Sequence, residues 1–461
     1  MALIVSISGI RGTIGGKSGT NLTPIDIVAF TSAYAQWLKK KNPNKIPTVL
    51  IGRDARPSGP MVASLVINTL VAAGVNVINL GLSTTPTVEV AVKRHQGDGG
   101  IIITASHNPV VWNALKLLNE QGEFISAEEG ELLVRMIRDS DYEFAEVKHL
   151  GNVTEYNEAI DDHIEELLKR PEIDVVAIRQ ADFSVAVDAV NSSGGIAIPK
   201  LLRALGVKKI KELNCEPTGW FAHNPEPLRE HLEDIMQLVK SENCDLGIVV
   251  DPDVDRLALI DEKGEMFGEE YTLVAVADYL LSQKSGSTVS NLSSSRALAD
   301  LTYSYGGQYY TAAVGEVNVV KKMKEVNARI GGEGNGGVIW PDFHFGRDAL
   351  AGVALILTHL AKSGTKLSEL KAKYPSYYMS KNKIELLPGM DTAALLLKIK
   401  DRYKNEKIID VDGIKIDFAE SWVHLRRSNT EPIIRIYTEA KSQVEADNLA
   451  SRFVKELKAL V

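Results

Sequence analysis

At 461 residues the chain exceeds what one core can hold, and roughly 100–200 residues per domain points to three or four domains. Hydrophobic residues at 44% and charged residues at 24% match an ordinary globular protein, and a formal net charge of −8 with no Lys/Arg-rich block argues against gripping a nucleic-acid backbone. The two cysteines, Cys215 and Cys244, lie far apart with no CxxC or His/Cys cluster, which argues against a disulfide scaffold or structural zinc and fits a reducing compartment.

The opening MALIVSISGIRG lacks the charged start and long apolar core of a signal peptide, and no run of about 18 apolar residues occurs, so a cytoplasmic setting without a membrane partner is expected. Thr23-Pro24 opens a helix to about residue 41, with proline suited to the first helical position. TVLIG (48–52) reads as a strand, residues 58–73 as a helix stopped by Gly74, VNVINL as a strand, TPTVEVAVKRH as a helix and GIIITAS as a strand. That alternation predicts βαβ units and a mainly parallel sheet. Ser126 with Glu129 is a capping box for a helix ending near residue 139.

A second α/β block follows, with a helix over 154–169, the strand FSVAVDAV, a helix after Gly194-Gly195 and the strand LGIVVD. A third alternating block runs from about residue 262 to 370. The tail differs: YMSKNKIEL, GIKIDF, WVHLRR and PIIRIYTEA lie close together between helices over about 391–404 and 442–459, an α+β pattern with an antiparallel sheet. The expected domains are 1–150, 151–256, 257–370 and 371–461.

Asp251-Pro252-Asp253-Val254-Asp255-Arg256 sits between the apolar runs LGIVV and LALI. Three alternating carboxylates repel one another, and a hard divalent cation is the partner such oxygens prefer. An EF-hand also places acids at positions 1, 3 and 5, and Glu262 falls at position 12, but Arg256 stands where glycine is required and the flanks read as strands. A phosphatase with an aspartyl nucleophile stays open. A solvated turn fits poorly between two buried strands.

Thr104-Ala105-Ser106-His107-Asn108-Pro109 follows the strand GIIIT, which places Ser106 where α/β sheets hold ligands. A serine hydroxyl needs a base or metal to act; His107 is adjacent and Lys116 lies ten residues on. A polar turn is the bland alternative, and no Gly-x-Ser-x-Gly elbow occurs. Arg426-Arg427-Ser428-Asn429-Thr430-Glu431-Pro432 offers guanidinium, hydroxyl and amide groups suited to a phosphate, or an ordinary hairpin turn. Gly331–Gly337, with five glycines in seven, allows close backbone approach to a ligand, with Glu333 and Asn335 as hydroxyl partners; a flexible hairpin is the alternative. Gly9-Ile10-Arg11-Gly12 and Gly52-Arg53-Asp54-Ala55-Arg56-Pro57-Ser58-Gly59 pair arginine with glycine turns. Gly15-Gly16-Lys17-Ser18 lacks the first glycine of a P-loop and no helix is expected at Lys17.

TASHNP, DPDVDR, GEGNGG and RRSNTEP, in that order, resemble the α-D-phosphohexomutase superfamily of phosphoglucomutases, phosphomannomutases and phosphoglucosamine mutases. The resemblance covers nearly the whole chain, with GIRG, GRDARPSG and NPEP (224–227) at matching places. It implies an α/β fold of three related α/β domains with mixed sheets, plus a smaller C-terminal α+β domain, around a central cleft. It implies Ser106 as the phosphorylated serine and Asp251, Asp253 and Asp255 as Mg²⁺ ligands, with Ser106 completing the metal set. Arg11, His107 and Lys116 match positions of proton transfer and charge stabilisation; which is acid and which is base stays open. Arg256, Glu333 and Asn335 match substrate contacts, and Arg426, Ser428, Asn429 and Thr430 the grip on the non-reacting phosphate. The sugar loop departs from Glu-x-Ser-Gly at Asn335, and Asn113-Ala114-Leu115-Lys116 lacks the usual glycine before the lysine.

The implied reaction exchanges hexose 6-phosphate and 1-phosphate through a bisphosphate, with hexose 1,6-bisphosphate as activator. The overall pattern is nearest the phosphoglucosamine branch, with phosphomannomutase/phosphoglucomutase second. The partners expected are a sugar phosphate and, at most, a second copy of the chain, with neither nucleic acid nor membrane. Two rivals are a Mg²⁺ phosphatase acting through Asp251 and a non-catalytic sugar-phosphate sensor.

Overall fold

The computed structural model describes residues 3–6, 9–386, 391–428 and 433–460. Four sheets carry the chain, mixed in the first three domains and antiparallel in the C-terminal one. Their contacts divide the chain into two compact units, residues 1–272 with 336–369 and residues 273–335 with 370–461.

In the first unit seven strands pair in the order Ile4–Ser6, Gly9–Thr13, Trp112–Leu118, Gly99–Ile103, Thr48–Arg53, Asn76–Leu82 and Val153–Glu155. Helices Gly59–Ala72 and Thr85–Arg94 supply the crossovers that make Thr48–Arg53 parallel to both its neighbours. Residues 104–111 are too few for a crossover, so Trp112–Leu118 turns back antiparallel to Gly99–Ile103. Gly9 pairs with Lys116 across the next ladder; its φ is +140°, and a Cβ there would lie 1.8 Å from the Leu115 carbonyl oxygen. The missing glycine before Lys116 leaves a regular strand. Helices Pro24–Lys41, Gly59–Ala72 and Ala127–Asp139 bury Tyr34, Trp37, Val66 and Leu133 in one core with Ile51, Ile101 and Leu117 of the sheet. Ser126 and Glu129 form the expected capping box.

The second sheet runs Leu257–Asp261, Leu246–Val250, Ser184–Asp188, Lys209–Leu213, and its first two strands form an antiparallel hairpin closed by residues 251–256. Strands Gly99–Ile103 and Leu246–Val250 are buried along their whole length. Both the serine loop and the carboxylate loop therefore leave rigid, dehydrated strands at tight reversals.

In the second unit Thr288–Asn291 lies between the parallel strands Tyr309–Ala312 and Ile330–Glu333. The C-terminal sheet is antiparallel in the order Tyr378–Glu385, Ile433–Ala440, Trp422–Arg427, Ile414–Asp417, Lys407–Ile409. Helices Thr392–Arg402 and Gln443–Lys458 cover it, burying Leu395, Ile399, Phe453 and Leu457 with Ile416, Val423 and Ile436.

One expectation needs correction, and one strand went unpredicted. The helix expected from residue 154 begins at Ala159, because Val153–Glu155 joins the first sheet as an edge strand, parallel to Asn76–Leu82. The short strand Lys407–Ile409 also escaped the sequence pattern, since three residues carry too little alternation to register. Both cysteines are free, and among the described residues no helix is long and apolar enough to cross a membrane.

Phe453 is fully buried in the C-terminal core. Phe453→Ala is expected to destabilise that domain by about 3–5 kcal/mol, read as a lower midpoint of its urea transition.

Candidate active site

Asp251, Asp253 and Asp255 are each fully buried, with carboxylate oxygens within 4.8 Å of one another. The loop is held open by its own backbone: Asp251 Oδ1 accepts the N–H groups of Asp255 and Arg256 at 3.1 Å, and Val254 takes a left-handed φ of +64°. Ser192 and Ser193 donate their hydroxyls to the Pro252 carbonyl at 2.7 and 2.9 Å. Thr85, at the start of helix Thr85–Arg94, donates its hydroxyl to Asp253 Oδ2 at 2.6 Å and its N–H to the Asp253 carbonyl at 2.8 Å.

Ser106 reaches the same loop. Its Oγ donates to Asp251 Oδ2 at 2.8 Å, and it is 4% exposed. Its φ of +49° is left-handed, which costs a side-chain-bearing residue roughly 1–2 kcal/mol. The Ser106 N–H donates to Thr104 Oγ1 at 2.9 Å, and Thr104 donates onward to Asp54 Oδ2 at 2.7 Å. His107 Nδ1 lies 3.4 Å from Ser106 Oγ. Burial, with Arg256 and Arg11 nearby, holds the His107 imidazole well below its ordinary pKa, so it is neutral at neutral pH.

Lys116 closes the cluster. Its ammonium donates to Asp253 Oδ2 at 2.6 Å and lies 3.4 Å from Asp255 Oδ2. Burial alone would lower its pKa, but Asp253 and Asp255 outweigh it and the lysine stays charged. The trio itself is split. Burial, reinforced by Asp255 and Asp253, pushes Asp251 well above the carboxylate range. Burial pushes Asp253 the same way, yet Lys116 and Thr85 more than offset it and hold its pKa down. Arg11 donates to Asn108 Oδ1 of the serine loop at 2.9 Å. Arg256, 7% exposed, reaches Glu226 Oε1 at 3.5 Å, and its Nε makes no hydrogen bond. All these residues belong to the first unit, so the structure brings Ser106, His107, Lys116 and the three aspartates together.

The donor set fits a hard divalent cation. Asp253 Oδ1 and Asp255 Oδ1 are buried oxygens with no hydrogen-bond donor, an arrangement that leaves carboxylate charge for a cation. The flanking strands rule out a helix-loop-helix EF-hand. No helix begins at Lys17, as expected; the first starts at Pro24.

In the second unit Glu333 Oε1 accepts from Asn291 Nδ2 at 2.8 Å and from the Gly315 N–H at 3.1 Å. The adjacent Val314 N–H donates to Asp412 Oδ2 at 3.0 Å, and that oxygen pairs with Arg426 Nε at 3.3 Å. The turn at residues 314–315 thus ties Glu333 to Arg426. Asn335 follows Glu333 in the glycine-rich turn, half-buried, and Ser428 is buried beside Arg426, its N–H bonded to the Ile433 carbonyl at 3.0 Å. Asn429 and Thr430 lie outside the described residues.

Four domains described for phosphoglucomutase/phosphomannomutase match in order: α/β/α domain I over residues 3–143, domain II over 161–264, domain III over 268–378 and the C-terminal domain over 389–456. A phosphoglucomutase/phosphomannomutase of Thermococcus kodakarensis is 37% identical across 94% of this chain and 95% of its own length. The chain belongs to this family. It is a phosphohexomutase, an isomerase. A phosphoglucosamine/phosphogalactosamine mutase of Sulfurisphaera tokodaii is 32% identical over 100% of this chain and 99% of its own. Among solved structures, a phosphoglucomutase/phosphomannomutase family protein of Burkholderia thailandensis superposes with a TM-score of 0.84 at 25% identity, covering 99% of this chain and 97% of its own.

Three supports of this candidate site escaped sequence reasoning. Arg347 donates to Asp255 Oδ2 at 2.7 Å, Thr85 holds Asp253, and Arg56 lies beneath the serine loop. Arg56 stood in a noted motif; Arg347 and Thr85 carry no local signal, because only the fold brings them to the aspartates. A second buried trio, His163, His344 and Asp348, is a hydrogen-bonded brace: both imidazole Nε2 atoms meet Asp348 Oδ2, at 2.9 and 3.0 Å, while Asp348 Oδ1 caps helix Ala349–Ser363. His163 also meets Thr87 Oγ1 at 2.9 Å, linking that cap to the helix that carries Thr85.

Behind Arg426, His424 donates Nε2–H to the Asp412 carbonyl at 2.7 Å and meets Ser293 Oγ through Nδ1 at 2.9 Å. Burial, with Lys415 adding to it, lowers its pKa to about 4. The unfolded chain therefore binds this proton first, and the stability present above pH 6.5 is lost as pH falls toward 4. The C-terminal domain is expected to lose about 3 kcal/mol over that window. His424→Asn should flatten the slope in urea melts taken at several pH values.

Proposed function

We propose that the chain interconverts hexose 6-phosphate and hexose 1-phosphate through a phosphorylated Ser106 and a hexose 1,6-bisphosphate, with glucosamine phosphate as its preferred substrate. The observation that carries this reading is the 2.8 Å contact from Ser106 Oγ to the buried aspartate loop. Asp251, Asp253 and Asp255, with Ser106, would hold Mg²⁺, which when bound neutralises charge on the transferring phosphoryl oxygens.

The side chains divide the remaining work. The phosphoryl group leaves Ser106 Oγ for the free sugar hydroxyl, so one P–O bond breaks as another forms. His107, neutral and 3.4 Å from that oxygen, takes the sugar hydroxyl's proton and returns it to Ser106. Lys116, paired with Asp253 and charged, is suited to offset anionic charge. Arg256 offers a buried, unsatisfied Nε to a phosphate oxygen. Arg426, Ser428, Asn429 and Thr430 would hold the phosphate that is not reacting, and Glu333 and Asn335 the sugar hydroxyls. Arg11 would steady the serine loop through Asn108. Bisphosphate formed in one half-reaction re-phosphorylates Ser106 in the next, so catalytic amounts of hexose 1,6-bisphosphate would activate the dephosphorylated protein.

The relative at 37% identity carries a glucose and mannose name, which favours those phosphates as the second reading. Purified protein with Mg²⁺ and trace glucose 1,6-bisphosphate should isomerise glucosamine 6-phosphate fastest among the glucosamine, glucose and mannose phosphates. Ser106→Ala should cost at least about 1000-fold in kcat. Net release of inorganic phosphate that survives Ser106→Ala would instead favour an aspartyl phosphatase.

A further inference from the structure

The serine loop reverses direction between two antiparallel strands, so several of its carbonyls have no ladder partner. One side chain collects them. Arg56, fully buried, donates NH2 to the carbonyls of Ser106 at 2.5 Å and Asn108 at 2.7 Å, and NH1 to those of Pro109 at 2.6 Å and Trp112 at 3.0 Å. Its Nε donates to Asp54 Oδ2 at 2.9 Å. All five guanidinium N–H groups are thereby used, three of them on the loop that carries the reacting hydroxyl and one on Trp112, where the next strand begins.

The same ion pair governs the other side of Ser106. Asp54 Oδ2 accepts Thr104 Oγ1, which in turn accepts the Ser106 N–H. The peptide groups before and after Ser106 are thus both referenced to the Asp54–Arg56 pair, which fits the unfavourable left-handed φ at this residue. The guanidinium is also sealed from above. The Phe221 ring lies over it at 4.9 Å, and Gly219, at φ +72°, approaches so closely that a Cβ would fall 1.8 Å from the Ala55 carbonyl oxygen. A lysine at position 56 would offer three donors without the planar fork.

We propose that Arg56 is the positioning residue of the phosphoryl-carrying loop, fixing the Ser106 backbone so that Oγ points at Asp251. Its side chain bonds only backbone carbonyls and Asp54, none of them a reacting atom, so it acts through the backbone of the loop. The proposal rests on Ser106 as the phosphoryl carrier.

The test compares wild type, Arg56→Ala, Arg56→Lys and Ser106→Ala for hexose-phosphate isomerisation and for deuterium exchange of the peptide spanning residues 104–114. Misplacing the nucleophile by about 1 Å costs roughly 100-fold, so Arg56→Ala should lose about that in kcat, with KM within about threefold of wild type. Arg56→Lys should fall between the two. Exchange in the loop should rise while distant peptides keep their protection, and millimolar guanidinium ion should restore at least about tenfold of the lost kcat to Arg56→Ala. Arg56→Lys carries the comparison if the alanine variant does not fold. Unchanged loop exchange, or faster exchange with kcat within threefold of wild type, overturns the proposal. A wild type without mutase activity, or a fully active Ser106→Ala, would instead defeat the reading of Ser106 as carrier, and the exchange data would still decide whether Arg56 orders the loop.

Discussion

Three carboxylates buried within five residues set the terms for the first unit of this protein. At separations under 4.8 Å and an effective dielectric near 20, each ionised pair would repel by roughly 3–4 kcal/mol. The chain compensates with groups drawn from separate elements: the Ser106 hydroxyl, the Thr85 hydroxyl at a helix start, the Lys116 ammonium from a strand, and the Arg347 guanidinium. Removing such partners one at a time would leave an uncompensated buried charge. Much of the fold of this unit serves to deliver these groups to one place, and two carboxylate oxygens still remain for a cation.

The electrostatics then set the two basic side chains of the site apart. His107 is kept neutral by burial among cations, whereas Lys116 is kept charged by the aspartates it touches. The two side chains stand only nine residues apart, in a loop and its following strand.

Much of this was legible in the sequence. Strand and helix periodicity located elements at the start of the first domain, in the second and in the last, and the Asp-x-Asp-x-Asp loop stood out because like charges at that spacing need a counter-ion. The serine loop was legible mainly by company, since a Ser-His-Asn-Pro turn is unremarkable alone. Long-range supports were not legible. Arg347 and Thr85 lie 92 and 168 residues from the aspartates they hold, and nothing local marks either. The Val153–Glu155 strand was misread as helix because an edge strand of three residues is fixed by its partner, Asn76–Leu82, more than by its own pattern.

The proposed chemistry requires the hydroxyl at position 106, and no carboxylate, to carry the phosphoryl group. Incubation with ³²P-labelled glucose 1,6-bisphosphate, followed by denaturation, hydroxylamine treatment and peptide mapping, tests it directly. One hydroxylamine-resistant phosphate is expected on the peptide containing Ser106. Label that hydroxylamine removes, mapping to the peptide containing Asp251, would contradict it.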